Sequence, residues 1–224
     1  MGKLESLRRA CEINDAIFKE IVNDFRFRTE KELGKYILKR FKDFRAQKAY
    51  APIVANNNSV IHAKPRNKRF SRGFLVLDFG CKVNGWCSDM TRTIFIGRAN
   101  SDEKRLYALV LNCQRRCAAL VRAGVECFEL EVLSRRLLGE YRRYYIHRLG
   151  HGVGRKIHEK PDFGVATTDV LKTGDVVTIE PGIYIRERGR NFAIRIEDTI
   201  LVTSRGSEAL CNSPKKFIEV SLGK

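Results

Sequence analysis

Four acidic side chains stand where strand-forming stretches of this chain would otherwise be apolar, and they limit what it can fold into. Asp78 interrupts Phe74-Leu75-Val76-Leu77-Asp78-Phe79, and Glu180 closes Val176-Val177-Thr178-Ile179-Glu180. Glu197 lies inside the run from Phe192 to Val202, and Asp89 follows the hairpin-like Asn84-Gly85. A buried carboxylate is costly unless it is neutralised or paired. Four in one chain ask for a common compensation, and a divalent cation is the simplest. The fold must therefore bring distant strands to one point.

Local pattern says how two of the four could meet. Asn84-Gly85 suits a type I′ turn, which needs positive φ at both positions. That register pairs Asp78 with Thr91, so Asp78 and Asp89 become diagonal neighbours on one sheet face. Glu180 and Glu197 repeat the device, joined through the charged loop from Arg186 to Asn191. Arg195 shares the face of Glu197. It either points into the same cavity or forms a salt bridge with Glu197.

The chain has four histidines. His147, His151 and His158 fall within one short stretch, with His151 between Gly150 and Gly152, and His62 stands alone. Glycines of this kind permit close backbone approach to a ligand or metal. One histidine with four carboxylates makes an oxygen-rich shell, suited to Mn, Co or Fe(II) better than to structural zinc. Two metals about 3.5–4 Å apart, bridged by carboxylates and a water or hydroxide, form a hydrolytic design.

The 224 residues suffice for one substantial core, and residues 1–224 read as a single α+β domain. Apolar residues from Leu4 to Phe25 form a helical stripe, and Thr29-Glu30-Lys31-Glu32 reads as a capping box opening a second helix. Strands are predicted from 49 to 97. The order then repeats: a helix from Ser101 stopping near Gly124, another over 128–143, and strands over 146–202. Seven cysteines without a Cys-x-x-Cys pair, and no secretory signal, predict reduced thiols and a cytoplasmic protein. Cys113 and Cys117 read as small core residues. No run approaches the about 18 apolar residues of a membrane span. The net charge of +17, from 43 Lys+Arg against 26 Asp+Glu, is compatible with nucleic-acid or ribosome contact but is scattered along the chain.

The segments Leu77-Asp78-Phe79-Gly80, Ser88-Asp89-Met90-Thr91-Arg92-Thr93, Gly150-His151-Gly152-Val153-Gly154, Ile179-Glu180-Pro181-Gly182-Ile183-Tyr184 and Ile194-Arg195-Ile196-Glu197-Asp198 together resemble the signature of the pita-bread metallopeptidases. That family includes methionine aminopeptidases, Xaa-Pro aminopeptidases and prolidases. The resemblance implies two pseudo-symmetric helix-helix-sheet halves around a curved antiparallel sheet. It implies two divalent ions, with Asp78 on one, His151 and Glu180 on the other, and Asp89 and Glu197 bridging both. A hydroxide bridging the ions would attack the scissile carbonyl, with Glu180 handling its proton. His62 and His158 would contact substrate and stabilise the tetrahedral intermediate, and His147, Tyr184 and Arg195 match secondary positions of the Xaa-Pro branch.

The expected activity is removal of the N-terminal residue from a peptide with a free amino terminus, Xaa-Pro type favoured. Removal of initiator Met is the alternative, and a non-catalytic RNA- or ribosome-binding relative the third reading. Asp162 stands where dipeptidase relatives commonly carry an arginine, which predicts repulsion of a dipeptide carboxylate and a preference for longer peptides. The N-terminal domain usual in the Xaa-Pro branch is not in this sequence, so a monomer is favoured over a homodimer.

Overall fold

In the computed structural model, which describes residues 2–222, helix α1 (Lys3–Asn23) buries Leu7, Cys11, Asn14, Ile17, Phe18 and Ile21 along one face. That stripe has helical spacing. Leu4, expected in it, lies in the first turn and is 37% exposed. Helix α2 (Glu30–Asp43) is capped by Thr29, whose Oγ1 accepts from Glu32 N at 3.1 Å. The expected reciprocal bond goes one residue further back, since the Glu32 carboxylate accepts from Arg28 N at 2.8 Å.

These helices lie on strands Cys81–Val83 and Ile53–Asn56. The first sheet aligns Ile53–Asn56, Gly73–Asp78 and Thr91–Ile96 antiparallel. Glu219–Val220 adds to Thr91–Ile96 in parallel, an exception to the expected antiparallel sheet.

The second half repeats the arrangement. Helix α3 (Ser101–Ala118) is capped by Asn100, one residue before the expected start, with a full capping box to Glu103. It ends at Ala118, short of Gly124, because the chain turns there toward α4 (Cys127–Leu138). Gly139, at φ +56°, breaks the longer predicted helix, and Gly139–Tyr144 continues as a 3-10 turn. Cys113 and Cys117 are fully buried against α4 and the second sheet, as core residues. That sheet is antiparallel and orders Ser207–Ala209, Asp198–Val202, Val176–Ile179, His151–Gly152 and Glu159–Asp162.

The two halves are stitched along one seam. The predicted charged loop is instead the tip of a tight hairpin, Gly182–Glu187 with Arg190–Arg195, whose turn Gly189 makes at φ +78°. Its second strand runs beside Gly73–Asp78 and Thr91–Ile96. Arg195 N donates to Thr93 Oγ1 at 3.1 Å, Thr93 Oγ1 donates to Arg195 O at 2.8 Å, and Glu197 N donates to Thr91 O at 3.1 Å. Asp78, Arg195 and Glu197, among the predicted site residues, sit along this seam. All seven cysteines are free and buried, and among the described residues no helix is long and apolar enough to cross a membrane.

Candidate metal centre and cleft

The Asn84-Gly85 turn has φ +49° and +83°, and the hairpin register pairs Asp78 with Thr91. Gly80 makes the neck of this hairpin possible: a Cβ there would lie 2.0 Å from Ser88 O and 2.9 Å from Tyr50 Cε1. Asp89 is fixed from the other half, since its N–H donates to Thr199 Oγ1 at 3.1 Å and its carbonyl accepts from the same hydroxyl at 2.6 Å. Glu197 is fixed reciprocally by Thr91 Oγ1, which donates to its Oε2 at 2.6 Å.

Gly150 allows His151 to approach its neighbouring strand, because a Cβ at 150 would sit 2.0 Å from Thr178 O. His151 N donates to Thr178 Oγ1 at 3.0 Å. Its Nδ1 lies 3.1 Å from Gly152 O, so Nδ1 carries a proton and Nε2 faces the acids, 3.3 Å from Glu180 Oε1 and 3.6 Å from Asp89 Oδ2. Asp89, His151 and Glu197 offer ligand atoms within 4.8 Å of one another. Asp78 lies outside that group, and Glu180 reaches it through His151.

These groups line one cavity of about 820 Å³, with His62, His147, His158 and Arg195. Tyr184 stands just behind its wall. The His158 ring meets His151 edge-on at 4.3 Å between centroids, and both His62 and His158 are exposed to the cleft. Tyr184 OH accepts from Arg195 Nη1 at 2.7 Å, so its own proton points to His147 Nε2 at 2.9 Å. His147 Nδ1 in turn donates to Arg148 O at 2.7 Å. Arg195 also donates to Thr91 Oγ1 at 3.1 Å and pairs with Asp78. The salt bridge with Glu197 does not form, because Asp78 lies across the seam and takes the guanidinium, while Thr91 takes the glutamate.

Sequence reasoning missed Tyr50. Its hydroxyl bonds both Asp78 and Asp89, and a lone aromatic before Pro52 gives no periodic signal of that. The orienting threonines Thr91, Thr178 and Thr199 were equally silent, being ordinary strand residues. Asp162 lies in the cavity wall as expected, but Arg148 pairs with it, which offsets the repulsion predicted for a substrate carboxylate.

The electrostatics match a cation-binding set. Burial, then the charge of Asp78, pushes Asp89 up to about 7. Burial and Asp89 hold Glu197 well above the usual carboxylate range. Burial lowers His151, but Glu180 and Asp89 outweigh it and hold the imidazole at about 9. Burial likewise opposes ionisation of Glu180, yet His151 brings that carboxyl down to about 2. Tyr50 has one proton to offer two carboxylates. Buried Asp89 and Glu197 and the part-buried Glu180 around one imidazole are short of positive charge, and a divalent ion reverses that balance. The donor set therefore fits oxygen-seeking divalent metals.

A mixed α/β fold with a carboxylate–histidine cluster in a cleft between two similar halves defines a class of metal-dependent hydrolases. The model of metallopeptidase family M24 matches residues 5–204, and the chain belongs to that family. It is 36% identical to the Xaa-Pro dipeptidase of Pyrococcus furiosus over 223 residues, covering 96% of this chain and 63% of that protein. The prolidase from Pyrococcus horikoshii superposes with a TM-score of 0.91 at 33% identity, over 96% of this chain and 63% of that one. The X-Pro aminopeptidase from Thermotoga maritima gives 0.91 at 32% identity, over 98% and 63%. The fold is the pita-bread fold, and this chain spans about 63% of the length of these relatives.

Proposed function

We propose that the chain is a metal-dependent aminopeptidase that removes the residue preceding proline. The observation that carries this reading is the convergence of Asp89, His151 and Glu197 within 4.8 Å at the floor of the cleft, with two further histidines exposed above them. Asp78, Asp89, His151, Glu180 and Glu197 would hold two divalent ions, Mn, Co or Fe. Bound there, such ions supply Lewis-acid polarisation of a carbonyl and a nucleophile from water at neutral pH.

The chain's own residues supply the rest. Glu180, kept ionised, is the base for the attacking water. His62 and His158 face the cleft where a tetrahedral oxyanion would develop and can donate to it. Burial and the nearby His151 charge lower the pKa of His158, which keeps it a neutral donor near pH 7. Burial holds His147 down at about 4, so it stays neutral, and the Tyr184–Arg195 relay fixes its ring. Arg195 also orients Asp78. The Xaa-Pro preference rests on likeness to proteins named Xaa-Pro dipeptidase and X-Pro aminopeptidase, and it is favoured over release of initiator Met.

Hydrolysis of Ala-Pro-Ala, Ala-Pro and Met-Ala-Ser by protein loaded with Mn, beside an Asp89→Ala control, tests this reading. Release of alanine that needs metal and is lost in the control supports it. Faster cleavage of Met-Ala-Ser would replace it with the methionine reading. The ratio of Ala-Pro-Ala to Ala-Pro shows whether Asp162, with Arg148 beside it, still disfavours dipeptides.

A further inference from the structure

Of the basic residues behind the net charge of +17, only Arg148, Lys160 and Arg195 line the cleft. The fold concentrates some of the others where residues 64–72 lie along the start of α2. Phe70 N donates to Arg28 O at 2.9 Å, Lys31 N to Arg66 O at 3.0 Å, and Thr29 bridges Arg69 antiparallel. Gly34 allows this closeness, since a Cβ there would meet Pro65 Cγ at 3.1 Å. Two basic stretches that are apart in sequence thus become one face. Arg28, Lys31 and Lys35 come from one side and Lys64, Lys68 and Arg69 from the other, all exposed. Among the described residues none of these six side chains has an ion-pair partner, whereas neighbouring Arg66 and Arg26 pair with Glu30 and Asp24. Glu30 is buried by that pairing, which leaves Glu32, bound to Arg28 N, as the exposed acid between the two rows.

We propose that this face binds a nucleic-acid phosphate backbone without reading bases. An acidic protein partner would want an apolar centre to its interface. No large apolar side chain within residues 26–35 or 64–72 is exposed. Stacking platforms are absent as well, because Phe25, Phe27 and Phe70 pack on one another inside, with centroids 5.9 and 5.5 Å apart. What remains is a field of flexible cations, the chemistry of sequence-independent phosphate contact. The face borders the cleft at His62, two residues before Lys64, so bound nucleic acid lies beside the cleft mouth.

The test is fluorescence anisotropy of the full chain with a labelled oligouridine of about 20 nucleotides. With roughly four phosphate contacts, affinity should fall about fifty-fold between about 50 and 200 mM salt. The triple reversal Lys31→Glu, Lys68→Glu, Arg69→Glu should weaken binding more than about tenfold at low salt and make the salt slope shallower by about 2. Reversing exposed Arg115, Arg116 and Arg122 to Glu changes net charge equally and should cost less than about threefold. Both variants should melt cooperatively and keep any peptidase activity of the parent. Equal loss in the two triples would overturn the proposal in favour of diffuse charge. So would absence of binding at about 50 mM salt, or displacement of the RNA by an equimolar polyglutamate peptide.

Discussion

Residue by residue, the acids of the cleft crowd one another. In metal-free protein the carboxyl of Asp89 stands at about 7 against an ordinary 3.8, so its ionisation increasingly penalises the folded state as pH rises through that window. His151, at about 9 against 6.5, contributes stability that is complete below 6.5 and lost as pH climbs to 9. Glu180 works in the other sense, losing its contribution only as pH falls from 4.5 toward 2. The chelated protein should therefore lose Tm steadily between about pH 6 and 9, and saturating Mn should flatten that profile. Differential scanning calorimetry reads both curves. A chelated Tm that rises across the interval would show that Asp89 and His151 do not titrate with folding in this way. Most of these residues were legible in the sequence because a charge inside a strand pattern is conspicuous. Tyr50 was not, since a tyrosine before a strand is ordinary until its hydroxyl is seen between two carboxylates.

At the scale of elements, register was legible and partners were not. Asn84-Gly85 determines which residues face each other, and Asp78 pairs with Thr91 as that turn dictates. Same-face reasoning also brought Arg195 to the cavity. Its partner lies across the seam, beyond the reach of any local rule. The start at Ser101 was legible, but the C-terminal helix ends were less so, because the chain turns after Ala118 and Gly139 converts a longer helical pattern into a 3-10 turn. The hairpin neck offers a test at this scale. Gly80→Ala places a Cβ against Ser88 O, and its cost should be about 1–3 kcal/mol in urea unfolding, with weakened metal uptake. Unchanged stability would mean that the neck relaxes freely and that Gly80 does not hold the two aspartates.

Across the whole molecule, the halves close on each other through buried groups next to the acidic cluster. Arg92, 1% exposed, pairs with Asp198 at 2.7 Å and donates to the carbonyls of Thr91, Glu197 and Ser213. Gln114 and Lys215 also reach Asp198, and Asp15 of α1 accepts from Ser213 N at 2.7 Å, so the C-terminal stretch packs on the core. Breaking a buried pair from one side costs about 3–5 kcal/mol. Arg92→Leu should lose about that much in chemical denaturation, and a loss under about 1 kcal/mol would show that Lys215 alone suffices for Asp198. Two similar halves could be read from the repeated order of helices and strands. Their closure could not, because it depends on contacts between residues far apart in the chain.

The proposed two-metal centre of the acids and His151 is open to direct observation. Anomalous scattering from crystals soaked in Mn tests it most directly. Two peaks about 3.5–4 Å apart are expected, with Asp89 and Glu197 between them and His151 on one side. A single peak away from Asp89 and Glu197, or none at saturating Mn, would contradict the two-metal centre.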